Sequence, residues 1–186
     1  MRSTLAIRKD DLYETPDCAI AALLRVEKIP QTVWEPACGP GAIVRHLRGT
    51  GRTVIASDLV DYGCPGSESR RDFLFEREAP AGVQAIVTNP PFKLAVPFVL
   101  HALEIVPEVH VLLRLAFLEG LRWQEKGLAQ GLSNVWVFAP RLPFMHRADY
   151  DGPVNSNSGM PFAWFTWRKG HYHPPHIGWL NWRENQ

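Results

Sequence analysis

The sequence predicts an α/β fold in which helices cover both faces of a mainly parallel β-sheet. Short apolar runs rich in β-branched residues alternate along the chain with segments of helical periodicity. Parallel strands need crossover connections, and the alternating helices would supply them. A long polar loop followed by an aromatic run is compatible with a last strand that runs antiparallel at the sheet edge. The chain of 186 residues is expected to form one domain, residues 1–186.

Capping and turn residues mark the individual elements. Thr15 is predicted to cap the first helix, with Pro16 at its first position and Asp17 in its first turn. A glycine turn at 39–41 separates the first strand from the second helix. The predicted helices are about 16–27, 42–48, 94–106 and 117–126, the predicted strands are 32–37, 53–57, 84–88, 108–115, 134–139 and 160–167, and the predicted loops are 59–71 and 140–160.

Composition is that of an ordinary globular protein. Apolar residues make up 46% and charged residues 21% of the chain, and no apolar run is long enough to cross a membrane. The amino-terminal residues lack the long apolar stretch of a signal peptide. Cys18, Cys38 and Cys64 lie far apart without zinc spacing, so reduced thiols and a cytoplasmic location are expected. Because the net charge is +1, any site for a polyanion must be local.

The carboxyl-terminal tail is rich in His, Pro and Trp but has no clear periodicity. Its histidines, His171, His173 and His176, could suggest a metal site. Two prolines between them, with no cysteine nearby in the sequence, argue against this, so no metal is expected. The tail, including Trp179 and Trp182, is predicted to pack on the sheet.

A glycine turn and a carboxylate predict a nucleoside-containing cofactor. The turn, Glu35-Pro36-Ala37-Cys38-Gly39-Pro40-Gly41, lies where the first strand meets a helix, and its glycines allow the backbone to approach a ligand closely. Asp58 ends the next strand, about twenty residues on, where a carboxylate can accept both hydroxyls of a ribose. The third glycine of a dinucleotide fingerprint is absent, with Val44 near its place, and no P-loop lysine follows.

Asp72 and Phe73, which follow the next loop, offer a further contact. An acid followed by an aromatic could hydrogen-bond an adenine amino group and cover its ring. A solvated aspartate beside a core phenylalanine explains the pair equally well.

A rigid corner, Asn89-Pro90-Pro91-Phe92, follows the strand at 84–88 and is expected at the same sheet edge as Gly39 and Asp58. The Asn89 side-chain oxygen and the carbonyl before Pro91 offer two acceptors, and Phe92 offers a flat apolar face. This set suits a planar ring with an exocyclic amine, because the acceptors help the amine pyramidalise and free its lone pair. The alternative is a stiffened loop with Phe92 in the core.

With these motifs in this order, the sequence resembles class I S-adenosylmethionine-dependent methyltransferases that modify amino groups of nucleic acids. The resemblance is to the small prophage-type DNA adenine N6-methyltransferases with an Asn-Pro-Pro-Phe motif. Upstream, Tyr13-Glu14-Thr15-Pro16 resembles a segment that precedes the first helix in many such enzymes and touches the carboxylate end of the cofactor. The resemblance covers about residues 12–170 and implies a Rossmann-like fold with S-adenosylmethionine as cofactor.

The resemblance also implies roles for individual residues. Those that would bind the cofactor are Tyr13, Thr15, Pro16, Glu35, Gly39, Gly41, Asp58, Asp72 and Phe73. Within this set, Asp58 would take the ribose hydroxyls, and Asp72 with Phe73 would address the adenine. The catalytic corner that would hold the target amine consists of Asn89, Pro90, Pro91 and Phe92. A base in duplex DNA would have to be flipped out of the stack to reach this corner.

One departure from many DNA adenine methyltransferases is the lack of a separate target-recognition domain. The candidate substrate loop is 140–160, which contains Arg141, His146, Arg147, Tyr150 and Asn155. The expected partner is a nucleic acid, DNA rather than RNA, and not a membrane. Open alternatives are methyl transfer to adenine N6 or guanine N2 of RNA, or to a protein glutamine amide. From other classes, a nicotinamide-dependent oxidoreductase or a catalytically silent binding subunit remains open.

Overall fold

The computed structural model describes residues 12–120, 126–143 and 159–184. Its strands are β1 Thr32–Glu35, β2 Thr53–Ser57, β3 Ser67–Glu68, β4 Ala85–Thr88, β5 Glu108–Arg114, β6 Leu132–Phe138, β7 Phe162–Arg168 and β8 His176–Leu180. They form one sheet in the order β3-β2-β1-β4-β5-β7-β6-β8. β7 runs antiparallel to its neighbours β5 and β6, and the other pairings between the described strands are parallel.

Helices cover both faces of this sheet. The α-helices are α1 Asp17–Val26, α2 Ala42–Gly49 and α3 Ala95–Ile105. α1 and α2 pack with Val33 and Val87 on one face, and α3 packs with Trp34 and Ile86 on the other, because successive strand residues point to opposite faces. The predicted mainly parallel α/β fold is therefore confirmed. No helix within the described ranges is long and apolar enough to cross a membrane.

The start of α1 differs from the prediction. Pro16 has extended backbone angles (φ −61°, ψ 137°) and is itself the N-cap residue, and no side chain caps this helix. The Thr15 hydroxyl instead accepts a hydrogen bond from the Asn89 side chain at 3.1 Å. Thr15 therefore makes a long-range contact in place of the predicted cap.

The helix predicted at 117–126 is wrong in its described part. A 3₁₀ turn covers Leu115–Leu118, and Gly120 has φ +95°, a backbone conformation that a right-handed helix excludes. Residues 121–125 lie outside the described ranges. The loop predicted at 59–71 contains the short strand β3, which pairs with the end of β2.

The tail forms a strand that the sequence pattern does not predict. β8 pairs in parallel with β6 and becomes the sheet edge, so the antiparallel β7 lies inside the sheet rather than at its edge. Trp179 is 69% exposed and does not pack on the sheet as expected. Trp182 is partly buried, and its Nε1 donates to the Pro140 and Arg141 carbonyls. An edge strand with several exposed positions leaves little apolar periodicity in the sequence.

Four parallel strands end at one edge of the sheet, and this carboxyl edge positions the candidate site. β1 ends at Glu35, Asp58 directly follows β2, Asn89 directly follows β4, and β5 ends at Arg114. The register of the parallel pairings keeps these strand ends close to level. Polar side chains that follow separate apolar strands are thereby collected at one place, as is typical of open α/β sheets.

A buried ion network holds the opposite, amino edge. Its centre is Glu27, which directly follows α1 and is 6% exposed. The Glu27 Oε1 accepts hydrogen bonds from Asn134 Nδ2 (2.7 Å), Trp136 Nε1 (2.6 Å) and Thr166 Oγ1 (3.0 Å), and its Oε2 accepts from Arg168 Nη2 (2.5 Å). One carboxylate thus ties α1 to both β6 and β7.

Arg168 links this carboxylate to a second one. Its Nη2 donates to Glu108 Oε1 at 2.9 Å, and the same oxygen lies 2.8 Å from Nε2 of the fully buried His110. Burial alone would raise the pKa of both glutamates. The hydrogen bonds of Trp136 to Glu27 and of His110 to Glu108, together with Arg168, outweigh burial and hold both pKa values below the ordinary 4.5.

This network has the outline of a metal site but already contains a cation. Glu27, Glu108 and His110 offer three ligand atoms within 4.8 Å of one another. The Arg168 guanidinium bonds to both carboxylates and supplies the positive charge between them. The guanidinium therefore takes the position between the two carboxylates that a metal ion would need.

Replacing Glu27 by Gln is expected to destabilise the protein by about 3 kcal/mol at pH 7, because the amide nitrogen would face the Arg168 guanidinium. The wild-type carboxylate has a lowered pKa, so its contribution is complete above about pH 4.5 and is lost as the pH falls further. The difference between the two proteins should therefore shrink at low pH. Urea unfolding at pH 7 and pH 4 measures it, and equal free energies of unfolding at pH 7 would contradict this role for the network.

Candidate active site

A cleft opens at the carboxyl edge of the sheet, beside the ends of β1, β2 and β4. Most of the site residues predicted from the sequence line it: Tyr13, Thr15, Glu35, Gly39, Asp58, Asp72, Phe73, Asn89 and Pro91. The other predicted site residues lie in the described ranges but outside this lining: Pro16, Gly41, Pro90 and Phe92. Lining residues that the motifs did not indicate include Leu59, Tyr62, Arg71, Leu94 and Phe98.

Asp58 fastens the glycine turn to the end of β2. Its Oδ2 accepts a hydrogen bond from the Gly39 N–H at 2.8 Å, and its Oδ1 accepts from the Val60 N–H at 3.1 Å. The Asp58 backbone is held as well, since its N–H donates to Glu68 and its carbonyl accepts from Arg71. The carboxylate is therefore fixed at the cleft by its hydrogen bonds to the backbone.

The two glycines of the turn are needed for different reasons. Gly41 has φ +93°, and a Cβ there would lie 2.7 Å from the Cys64 sulfur, so this glycine shapes the turn where α2 begins. Gly39 has φ +50°, and a Cβ there would meet the Leu12 side chain at 2.8 Å. Because Gly39 and Leu12 both line the cleft, a side chain at position 39 would narrow it.

Glu35 places a buried carboxyl group in the cleft lining. It is 1% exposed, and its Oε1 accepts from the Ala37 N–H at 3.1 Å. Its Oε2 completes no hydrogen bond within the described part of the chain, although the Thr88 hydroxyl is near enough to lower the pKa. Burial dominates and raises the pKa of Glu35 to about 8, and the Asp58 charge adds to this effect. The cleft thus contains a polar atom that a ligand donor could satisfy.

Asp72 and Phe73 have clear local roles in the fold. The Asp72 Oδ1 accepts from the Leu74 N–H at 3.1 Å and caps the 3₁₀ turn Phe73–Phe75. Phe73 is 1% exposed, and its ring centroid lies 5.3 Å from that of Trp34 and 4.8 Å from that of Phe98. Both residues line the cleft, with Phe73 mainly part of the core beneath it. Their contact with a cofactor adenine stays a prediction.

Arg71 is a lining residue that the motifs missed. Its guanidinium lies 4.9 Å from the Trp34 ring and donates to Glu76 at 2.8 and 2.9 Å and to Glu68 at 2.7 Å. The ion pairs fix the segment around Arg71, and the contact with the Trp34 ring places that segment against β1. Its position directly before the predicted Asp72 is the signal that could have indicated it.

The segment before α1 clamps the Asn89 amide. The Asn89 Nδ2 donates to the Tyr13 carbonyl and to the Thr15 hydroxyl, both at 3.1 Å. Because a backbone carbonyl can only accept, the NH₂ group must face Tyr13 and the side-chain oxygen must point the other way. The clamp therefore presents Oδ1 as an oriented acceptor beside the cleft.

Phe92 belongs to an aromatic cluster next to the cleft. Its ring centroid lies 5.2 Å from that of Tyr13 and 5.7 Å from that of Phe162, and the Arg114 guanidinium lies over its ring at 4.5 Å. Arg114 is another residue that the motifs missed. Its signal in the sequence is its place at the carboxyl end of an apolar strand, level with the predicted corner.

The two prolines of the corner have different surroundings. The Pro91 carbonyl accepts from the Leu94 N–H at 2.8 Å and so takes part in the 3₁₀ turn Phe92–Leu94. The Pro90 carbonyl, which precedes Pro91, is the candidate second acceptor for an amine. Of the predicted substrate loop at 140–160, residues 144–158 lie outside the described ranges.

Solved structures of several proteins resemble this chain. One, from Pyrococcus horikoshii and assigned as an RNA methyltransferase, has a TM-score of 0.61 and 17% identity over 84% of this chain and 87% of that chain. A Vibrio vulnificus YJ016 protein, assigned as a modification subunit of a type I restriction enzyme, has a TM-score of 0.60 and 14% identity. The match covers 94% of this chain and 48% of that chain. A Listeria monocytogenes protein, assigned as a class I S-adenosylmethionine-dependent methyltransferase, has a TM-score of 0.57 and 15% identity. The match covers 89% of this chain and 65% of that chain.

The chain has the class I S-adenosylmethionine-dependent methyltransferase fold. It spans about half the length of the Vibrio protein and about two thirds of the Listeria protein. At these identities the likeness concerns the fold. In sequence, the chain matches no family model and no curated protein.

The raised pKa of Glu35 predicts a pH-dependent loss of stability. The folded protein keeps this proton up to about pH 8, whereas the unfolded chain releases it near 4.5, so stability should fall as the pH rises between these values. Glu35→Gln removes the titrating group. It should therefore abolish the decrease in the free energy of unfolding with pH that Glu35 causes, which is up to about 1.4 kcal/mol per pH unit. Urea unfolding of both proteins from pH 5 to pH 8 measures the slopes, and parallel curves would refute the assignment.

Proposed function

We propose that this protein is an S-adenosylmethionine-dependent methyltransferase that methylates an exocyclic amine, with adenine N6 in DNA as the favoured target. The observation that carries the proposal is the clamped Asn89 amide beside a cleft built from the glycine turn and Asp58. A nucleoside cleft suits a methyl donor, and an oriented acceptor suits a planar amine. Their proximity would bring the two reactants into line, which supplies much of the rate in such transfers.

The residues of the cleft fit S-adenosylmethionine. The fixed Asp58 carboxylate would accept the two ribose hydroxyls. The Glu35 carboxyl group would lose its proton on pairing with the ammonium group of the methionine part, so that its Oε2 accepts a hydrogen bond, and Gly39 keeps the turn open for close approach. When bound, the cofactor supplies an electrophilic methyl group on a sulfonium.

The groups of the corner would prepare the amine for attack. The Asn89 Oδ1 and the Pro90 carbonyl would each accept one N–H bond of the target. Accepting both N–H bonds draws the amine out of conjugation with its ring and exposes the nitrogen lone pair. No strong base is required before the attack, because the proton can leave during or after methyl transfer.

A nucleobase is favoured over a protein amide as the target. The rings of Tyr13, Phe92 and Phe162 form an aromatic cluster beside Asn89, and a flat base can stack on such a surface. The similar structures include a restriction-enzyme modification subunit and an RNA methyltransferase by assignment, which supports a nucleic-acid substrate. RNA adenine or guanine amines are the second candidate, because the same corner would accept them.

A nicotinamide-dependent oxidoreductase is the rival from another class. It would use the glycine turn and Asp58 but would leave the Asn89 clamp without a role. The two classes differ in which cofactor the cleft binds and in whether Asn89 affects the rate of the reaction.

Asp58→Asn is expected to weaken binding of S-adenosylmethionine more than tenfold, because a charged acceptor for the ribose hydroxyls is lost. Asn keeps the shape and one acceptor oxygen, which can still accept from the Gly39 N–H, while the bond from the Val60 N–H is lost. Asp61→Asn is the matched control, since Asp61 is exposed and lies three residues further along outside the cleft lining. Isothermal titration calorimetry measures both variants with S-adenosylmethionine and with NAD. Tight binding of NAD by the wild-type protein, without binding of S-adenosylmethionine, would contradict the proposal.

Asn89→Ala is expected to lower the rate of methyl transfer at least a hundredfold while leaving cofactor affinity within about threefold of wild type. The readout is single-turnover transfer from tritiated cofactor to an adenine-containing duplex. If this variant did not fold, the corner would have a structural role instead.

Thr15 supplies a second test of the clamp. Thr15→Val removes the hydroxyl that fixes the Asn89 amide, whereas Thr15→Ser retains it. The valine variant should lose about tenfold in rate and the serine variant should stay near wild type. Equal rates for the two variants would show that the hydroxyl does not position Asn89.

A further inference from the structure

Arg114 has an unusual environment beside the catalytic corner. It ends β5, next to β4, and its guanidinium carbon lies 4.5 Å from the Phe92 ring centroid. Its Nε is buried and has no hydrogen-bond partner among the described residues. A buried guanidinium nitrogen without an acceptor is costly, so its retention at a site calls for an explanation. An acceptor brought by a ligand would provide one.

Charge divides the carboxyl edge into two halves. The half that would hold the cofactor contains the carboxylates of Asp58 and Asp72 together with Arg71, whose guanidinium is paired with Glu68 and Glu76. The half around Phe92 contains Arg114 and the exposed Lys93. Since the proposed cofactor carries a sulfonium and an ammonium group, the acidic half suits it, and the basic half suits an anion.

We propose that Arg114 binds a backbone phosphate of the nucleic-acid strand that presents the target base. This inference rests on the proposed function. A base that stacked on the ring face now covered by Arg114 would displace the guanidinium. A phosphate of the same strand would offer the acceptors that Nε lacks, and a guanidinium can bind phosphate through two hydrogen bonds. Arg114 would thus cover Phe92 when no strand is bound and bind the strand in the complex.

The test compares variants of Arg114 in binding to a fluorescent adenine-containing oligonucleotide, followed by anisotropy over a range of salt concentrations. Arg114→Met and Arg114→Gln should weaken binding about tenfold and should reduce the slope of log affinity against log salt by about one phosphate contact. Arg114→Lys keeps a cation and should retain most of the slope. Lys28→Met is the control for net charge, because Lys28 is exposed and lies near the amino edge, just before β1.

Three outcomes separate this proposal from the proposed function. Wild-type slope and affinity in both neutral variants would overturn the phosphate contact. An unchanged slope with a lower rate of methyl transfer would also overturn it, because Arg114 would then only position Phe92. A wild-type protein that binds neither DNA nor RNA oligonucleotides and transfers no methyl group to them would overturn the function itself. Thermal unfolding and cofactor affinity of each variant, both expected near wild type, verify that the variants are folded.

Discussion

The hydrogen bonds of the Asn89 amide are the interaction on which the candidate site depends. They join the end of β4 to Tyr13 and Thr15, which lie 76 and 74 residues earlier in the chain. An unclamped amide could turn by half a rotation and present its NH₂ group, which would repel an amine rather than accept from it. The clamp also brings the Tyr13 ring against Phe92. One short segment therefore orients the Asn89 acceptor and supports the Phe92 ring. The cleft and the corner are in this way parts of a single assembly.

The buried polar groups at the two edges of the sheet differ in their hydrogen-bond partners. At the amino edge, Glu27 and Arg168 are surrounded by matched partners, and the charges of the network are satisfied within the protein. At the carboxyl edge, the Glu35 Oε2 and the Arg114 Nε are buried without hydrogen bonds in the described part of the chain. Buried polar atoms without partners are rare in proteins, and two of them beside one cleft fit a ligand site, although the described chain has another in His171, which follows β7.

Short motifs at strand ends could be predicted from the sequence because their positions follow from fold class alone. Gly39, Asp58 and Asn89 each follow a predicted strand. Because parallel strands end at the same edge of a sheet, these residues are expected at one edge, and the structure places them there. Contacts between distant segments could not be predicted in this way. Thr15 has the sequence pattern of a helix cap, yet its hydroxyl bonds to Asn89, because a tertiary contact outweighed the local preference.

The elements that were missed share a physical cause. β8 stabilises the sheet mainly through backbone pairing with β6, which leaves only a weak side-chain pattern. Arg114 reads as the polar end of an apolar strand, and only the packing of β5 beside β4 brings it over Phe92. Neither backbone pairing nor strand adjacency is encoded in a local run of residues.

Identification of the methylated product tests the central claim most directly. The protein is incubated with S-adenosylmethionine that carries a radiolabelled methyl group and with separate pools of duplex DNA, RNA and protein, and each pool is digested to its units. The account predicts label in N6-methyladenine from the DNA pool. Label in no pool, from a folded protein that binds the cofactor, would contradict the claim that this sheet edge transfers a methyl group to an amine.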